Sequence, residues 1–500
     1  MRDEHLAYVC HECIDDQFLA SEMKAQCAST LCAYCGGTRE AVTLESLAER
    51  THDVLQEHFE LTPDYPSEPH EYMEASEGRW DRRGETANYI IAEIAGLDEK
   101  IADDVTALLS HQHGGYRVIK RGGEDPYGDD AMYEARGPND TGFRNTWAEL
   151  RRQIRTRPRF FSTKSEDMLR FIFGDLSAHT ASDDKPVVRE VNPGNPDASV
   201  WRARAALSAD DLRTILKSPY RELSSPPSRS AKAGRMNAQG IPVFYGAMDP
   251  RTCVSEVRAP VGAHVVVGRF DLLRSVRLLD LDALSNVYAG GSYFDPNYSE
   301  REGRAEFFRH LVREISRPVM PHDEALEYLA TQAVAEFLAR KVAPRLDGII
   351  FRSSQTGGDG RNVVLFNHAR GVEPPSLPEG TSVEVHLPPR GLEDSEDCYE
   401  GIVVWETVPS NPPEAESATR KGEGRRDPIR ILAEPGPEEL EEEEEPTLRL
   451  DINSLEVLAM GAVAYTTEDL SVYRHRQTEE ERDAFNQSIT GMDMDSILEL

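Results

Sequence analysis

The stretch Gly234-Arg235-Met236-Asn237-Ala238-Gln239-Gly240-Ile241-Pro242-Val243-Phe244-Tyr245-Gly246-Ala247, continued by Thr252-Cys253-Val254-Ser255-Glu256-Val257-Arg258, decides how this chain is read. A Gly-Arg pair enters a turn marked by Asn237 and Gly240, and the turn opens into the strand-type run Ile241–Tyr245. This places a guanidinium at a loop–strand junction. A carboxylate follows at Glu256 in an apolar-flanked stretch, where Glu is costly unless paired or used. Farther on, Leu346-Asp347-Gly348-Ile349-Ile350-Phe351-Arg352-Ser353-Ser354-Gln355-Thr356-Gly357-Gly358 is a buried-type strand running into a polar, Gly-rich loop. Such junctions present hydroxyls and backbone N–H groups to anionic ligands.

Outward from this core, strand signals recur at His264–Phe270, Val276–Asp280, Gly348–Phe351 and Asn362–Phe366. Helical stretches at Asp210–Leu216, Arg304–Ser316 and Glu324–Lys341 interrupt them, so residues 186–406 predict an α+β domain with a mixed sheet. Residues 46–185 predict a helical leader, with apolar faces at Leu47, Val54, Leu55 and Phe59, along 85–115, and in short helices at 146–155 and 166–173. Residues 407–446, rich in Pro and carrying the acidic run Glu438–Glu445, predict a disordered acidic linker. Within 447–500, Leu448–Ile452, Leu455–Leu458 and Ala462–Tyr465 predict strands that pack back on the main domain.

The chain has 500 residues, and 56 Lys plus Arg against 89 Asp plus Glu give a formal charge of −33. Such a balance repels phosphate backbones and anionic bilayers as a whole, so nucleic-acid coating and membrane binding are disfavoured; a local basic groove remains open. No apolar run approaches the roughly 18–20 residues needed to span a bilayer. The start Met1-Arg2-Asp3-Glu4-His5 has no apolar signal region. A reduced, cytoplasmic protein is expected.

Five of the seven cysteines fall between Cys10 and Cys35, which suits a metal site better than a disulfide framework. Cys10-His11-Glu12-Cys13 and Cys32-Ala33-Tyr34-Cys35-Gly36-Gly37 are two C-x-x-C knuckles separated by eighteen residues. Two such knuckles close a tetrahedral thiolate shell, so residues 1–45 predict a zinc knuckle with structural Zn on Cys10, Cys13, Cys32 and Cys35. Cys27 and His11 are alternative ligands with poorer spacing.

Arg for a diphosphate, an aromatic face for a nicotinamide, Glu for a developing sugar cation and Ser for a polar anchor suit cleavage of a nicotinamide glycosidic bond. Taken singly, Arg235 also reads as a surface ion-pair residue, Tyr245 as a core aromatic and Glu256 as a helix-surface charge.

The block from Trp201 to Val372 resembles the RES domain, named for its Arg, Glu and Ser. The likeness rests on Trp201-Arg202-Ala203-Arg204, Gly234-Arg235-Met236-Asn237, Phe244-Tyr245-Gly246-Ala247, Ser255-Glu256-Val257-Arg258, Glu314–Pro318, Tyr328–Glu336, Asp347–Phe351 and Gly360–Phe366. The resemblance implies an ADP-ribosyltransferase-like fold that consumes NAD, by phosphorolysis, hydrolysis or transfer of ADP-ribose, in toxin–antitoxin pairs. It implies Arg235 for phosphate, Tyr245 for the nicotinamide, Glu256 as the Glu, and Ser353 as the Ser. Arg352 stands where the family has Pro, which leaves Ser354 as an alternative, and the leading Arg is either Arg202 or Arg204.

The leader is similar to the HEPN-like region fused to such domains. HEPN ribonucleases need an Arg a few residues before a His on one helix, and no such pair precedes His111 or His113, so ribonuclease activity is disfavoured. His52, His58, His111 and His113 read as ordinary residues. Two functions follow from the resemblance: an NAD-consuming toxin-like enzyme, or a zinc-and-helix recognition module with an inactive NAD-binding domain. A separate antitoxin is one expected partner; control by the leader is the other.

Overall fold

The computed structural model describes residues 7–66, 72–73, 76–77, 79–114, 124–156, 162–174, 176–317, 319–320, 322–388, 401–409 and 445–462. The expected acidic linker lies almost wholly outside these residues, as does most of Ala462–Tyr465. The chain divides into two compact units, residues 1–259 with 263–459 and residues 260–262 with 460–500. The elements below all belong to the first unit.

The strands in chain order are β1 (Tyr8–Cys10), β2 (Ser29–Leu31), β3 (Thr38–Thr43), β4 (Phe59–Leu61), β5 (Glu85–Thr86), β6 (Met132–Ala135), β7 (Val188–Val191) and β8 (Ser199–Ala206). Then come β9 (Phe244–Ala247), β10 (His264–Leu272), β11 (Val276–Asp280), β12 (Gly348–Arg352), β13 (Arg361–Leu365), β14 (Ser382–His386), β15 (Val403–Thr407) and β16 (Leu448–Ala459).

Eight strands form one mixed sheet in the order β16-β10-β8-β9-β13-β12-β11-β7. Only β11 and β12 pair in parallel. A parallel pair needs a long crossover, and here it contains the helices Tyr298–Ser316 and Glu324–Arg340.

Alternation along the central strands sorts side chains to two faces. Leu279, Ile349 and Val364 pack with Phe307, Phe308, Leu311 and Leu338 of the crossover helices. Their neighbours Leu278, Ile350 and Val363 face the other way, toward Leu212, Ile215 and Leu216 of the Ala209–Lys217 helix. This is the expected α+β class with a large mixed sheet.

Two elements differ from the sequence expectation. Within the stretch expected to be helical there are two helices, Ala87–Ala95 and Glu99–His113, because Gly96 takes a left-handed conformation at φ 59° and ends the first. The first two of the three strands expected after residue 447 are one, β16, which pairs with β10 through a register shift between Val267 and Arg269.

The cores join segments that lie far apart in the chain. Val9, Ile14, Leu19 and Met23 of the knuckle region share one core with Leu47, Leu55, Ile91, Val105 and Leu109, and with Phe294 from the distant crossover. The helices Thr141–Thr156 and Thr163–Phe173 bury Phe143, Trp147, Leu150 and Ile172 against Phe307 and Phe308 instead. An amphipathic stripe declares that a helix buries one face, not which element covers it. No helix among the described residues is long and apolar enough to cross a membrane.

Candidate functional site

The loop before β9 is held as a unit. Gly234 and Asn237 bridge through their backbones, and the buried Asn237 amide donates to the carbonyls of Lys232, Ala238 and Ile241. Tyr245 Oη donates to Asn237 Oδ1 at 2.9 Å and accepts from the Met236 N–H at 3.1 Å. A Cβ at position 234 would lie 2.6 Å from Tyr245 Oη, so the close approach requires glycine. From the Glu324–Arg340 helix, Thr331 Oγ1 donates to the Arg235 carbonyl at 2.6 Å and Gln332 Nε2 to the Gly234 carbonyl at 2.9 Å. The Arg235 guanidinium, set by this frame, lies 5.2 Å from the Tyr328 ring and donates to the Arg317 carbonyl.

Arg202 projects from β8 beside the same strand. It donates to the Tyr245 carbonyl at 2.8 Å and sits 4.9 Å from the Phe244 ring. Burial pushes its pKa down to about 10, which leaves it charged at neutral pH. Arg204 does not join it; it is exposed and paired with Glu222.

Glu256 sits in the last turn of the Pro250–Val257 helix, whose start is capped by Asp249 through the Thr252 N–H and hydroxyl. Its Oε1 accepts from Ser353 Oγ at 2.6 Å and from Asn362 Nδ2 at 2.7 Å. Among the described residues no protein donor meets Oε2. Ser353 is fully buried, whereas Ser354 borders open space. Asn362 is also buried, and its Oδ1 has no partner among the described residues.

Arg202, Arg235, Tyr245, Glu256 and Ser354 line one cleft of about 350 Å³; Arg204 and Ser353 do not line it. Among the described residues Glu256 is its only carboxylate, against Arg202, Arg235, Arg258 and Arg352. Arg352 is only partly neutralised, because it shares the Asp282 carboxylate, at 2.7 Å, with Arg361 at 2.8 Å. Arg202, Arg235 and Arg258 have no carboxylate partner among the described residues. The cleft is therefore a basic pocket in an acidic protein, suited to a diphosphate. Cys253 borders it too, but burial pushes its thiol up to about 12, so it packs rather than attacks. A wider groove of about 800 Å³, lined by Asp15, Asp16, Glu22 and Asp295, has the wrong charge for an anion.

Sequence reasoning missed Arg258, Tyr328 and Asn362 as cleft residues. Each lies inside a motif quoted for the resemblance, but adjacency to a known motif does not say which side chain faces the ligand.

At the other end of the chain, Cys10, Cys13, Cys32 and Cys35 bring their sulfurs within 4.8 Å of one another. Cys10 lies 3.7 Å from Cys13 and 3.5 Å from Cys35, and Cys13 lies 3.8 Å from Cys32. Zn–S bonds of about 2.3 Å in a tetrahedron set sulfurs about 3.8 Å apart, so the group fits a zinc ion. Burial opposes ionisation of Cys32, yet backbone N–H groups of Cys35, Tyr34 and Cys10 hold its thiol down at about 6. Cys27 stays outside the group, and His11 contacts Glu40 instead.

Residues 199–386 match the family model of the RES domain, and the chain carries that domain. No curated protein and no solved structure matches the chain.

Proposed function

We propose that this RES-domain chain is an NAD-consuming enzyme of the toxin type that breaks the bond between nicotinamide and ribose. The observation that carries the proposal is the isolated Glu256 carboxylate, held from behind by Ser353 and Asn362 among arginines of which Arg202, Arg235 and Arg258 have no acidic partner among the described residues.

The chemistry follows from the charges. Arg202 and Arg235 bind the diphosphate, and the Tyr245 ring receives the nicotinamide. The Glu256 oxygen that no protein donor meets faces the nicotinamide ribose. As the C1′–N bond breaks, nicotinamide leaves with the bonding electron pair and positive charge develops on the sugar. A pre-oriented carboxylate stabilises that charge more in the transition state than in bound NAD, which is what accelerates the step. Water, phosphate or a protein side chain then bonds to C1′.

In this proposal zinc on the four cysteines is structural, because four thiolates leave no open position. The restraining partner is a separate antitoxin or the chain's own leader.

The test is incubation of purified protein with NAD, with and without phosphate, and mass spectrometry of the products. Release of nicotinamide by the wild type and its loss in Glu256→Gln support the proposal. NAD that binds and stays intact makes the domain a binding module instead.

A further inference from the structure

Three of the four cleft arginines are accounted for by what they touch. Arg202 donates to the Tyr245 carbonyl, Arg235 lies over Tyr328, and Arg352 pairs with Asp282. Arg258 differs: among the described residues its guanidinium has no hydrogen bond, ion pair or ring contact. Its backbone is unusual as well. Arg258 closes the Pro250–Val257 helix at φ 51° and ψ 43°, in the left-handed region. Glycine takes that conformation freely, and a residue with a Cβ does so at a cost. An outlier of this kind beside a cleft points to use of the side chain.

Charge matching narrows that use. A dinucleotide diphosphate brings two negative charges, which Arg202 and Arg235 match. Arg352 is held by Asp282, which also pairs with Arg361. Arg258, two residues beyond Glu256 and lining the same cleft, is the cleft arginine that no side chain or carbonyl holds among the described residues.

We propose that Arg258 is a specificity-determining residue that binds a phosphate dianion additional to the diphosphate of the dinucleotide. Two sources share that chemistry: the 2′-phosphate of NADP, and free orthophosphate acting as acceptor. In the second case a phosphate oxygen bonds to C1′ as the C1′–N bond breaks, and nicotinamide departs with the electron pair. The inference rests on the cleft being a dinucleotide site.

The test is calorimetric titration of the full chain, wild type, Arg258→Gly and Arg258→Lys, with NAD, NADP and inorganic phosphate. Glycine suits the left-handed backbone, so Arg258→Gly removes the charge without straining the fold. Its affinity for NADP or for phosphate should fall at least about tenfold relative to its affinity for NAD, as loss of a charge-assisted bond requires. Arg258→Lys should recover part of the loss. A drop confined to NADP identifies the 2′-phosphate, and one confined to phosphate identifies the acceptor. Equal change for all three, no change for any, or a wild type that binds neither NADP nor phosphate overturns the inference. Binding is read without turnover. Discrimination by Arg258 in a protein that leaves NAD intact would refute catalysis while upholding Arg258. Turnover with unaltered affinity ratios would do the reverse.

Discussion

Ser353 Oγ donates to Glu256 Oε1 across 2.6 Å, joining a strand-end loop to a helix end 97 residues away in sequence. Ser353 is fully buried and its Oγ also accepts from the Gln355 N–H, so it acts from behind the carboxylate. A Ser353→Ala variant keeps the Asn362 bond to Glu256 and loses half of the orientation. Turnover of NAD should fall about tenfold with KM little changed, whereas Glu256→Gln should fall about 10²- to 10³-fold, as for a lost oxyanion donor. Steady-state kinetics on both variants separate the roles; a Ser353→Ala enzyme as slow as Glu256→Gln would put Ser353 in contact with substrate.

Tyr245 ties the loop of Arg235 to the sheet through its hydroxyl. Tyr245→Phe keeps the ring and strands the Asn237 Oδ1 and the Met236 N–H, which both bond to that hydroxyl. Leaving buried polar groups unpaired costs about 1–3 kcal/mol. Thermal melts should show the loss, and KM for NAD should rise as Arg235 loosens.

The four-cysteine group should hold one zinc, measurable by elemental analysis, and Cys13→Ser should abolish it. Val9 and Ile14 flank the knuckle and belong to the core of the leader, so metal loss should lower the melting temperature of that region. A metal-free protein with an unchanged melt would sink the structural role.

Asp347 sets a pH dependence. Burial alone would raise its carboxyl, but the nearby His368 ring, the Arg277 N–H and the Arg274 guanidinium hold it down at about 2, against an ordinary 3.8. The Arg277 N–H and Arg274 donate to it at 2.9 and 3.0 Å, and the His368 ring lies at 3.4 Å. A depressed carboxylate stabilises the fold above its unfolded value and ceases to do so as pH falls through its folded value. The contribution is roughly 2 kcal/mol, intact above about pH 4 and lost toward pH 2. Urea unfolding at pH 5 and pH 2.5 should show the wild type losing more stability than Asp347→Asn.

Deleting residues 1–185 tests control by the leader poorly. It strips Phe143, Trp147, Leu150 and Ile172 from the core that supports the crossover helices. Circular dichroism and sedimentation should report a misfolded or aggregated product, and soluble native protein would contradict the shared core.

Most strands of the RES domain were legible because alternation and turn residues are local signals. β8 is not legible in the sequence, since Arg202 and Arg204 break its apolar pattern, yet it carries a cleft arginine. Both residues face the same side of one strand, and only the neighbours Tyr245 and Glu222 separate the cleft arginine from the surface one. Ser353 and Ser354 are adjacent in the chain, and burial alone gives one to Glu256 and the other to the cleft.

The sequence by itself determined the mixed α+β class, the RES likeness and the cysteine pairs, because periodicity and C-x-x-C spacing act over a few residues. Tertiary structure decided which helices share a core, which arginines stay without acidic partners and what holds Glu256. Those outcomes depend on contacts between segments far apart in the chain, 106 residues in the case of Asn362 with Glu256, and no local pattern encodes such a pairing.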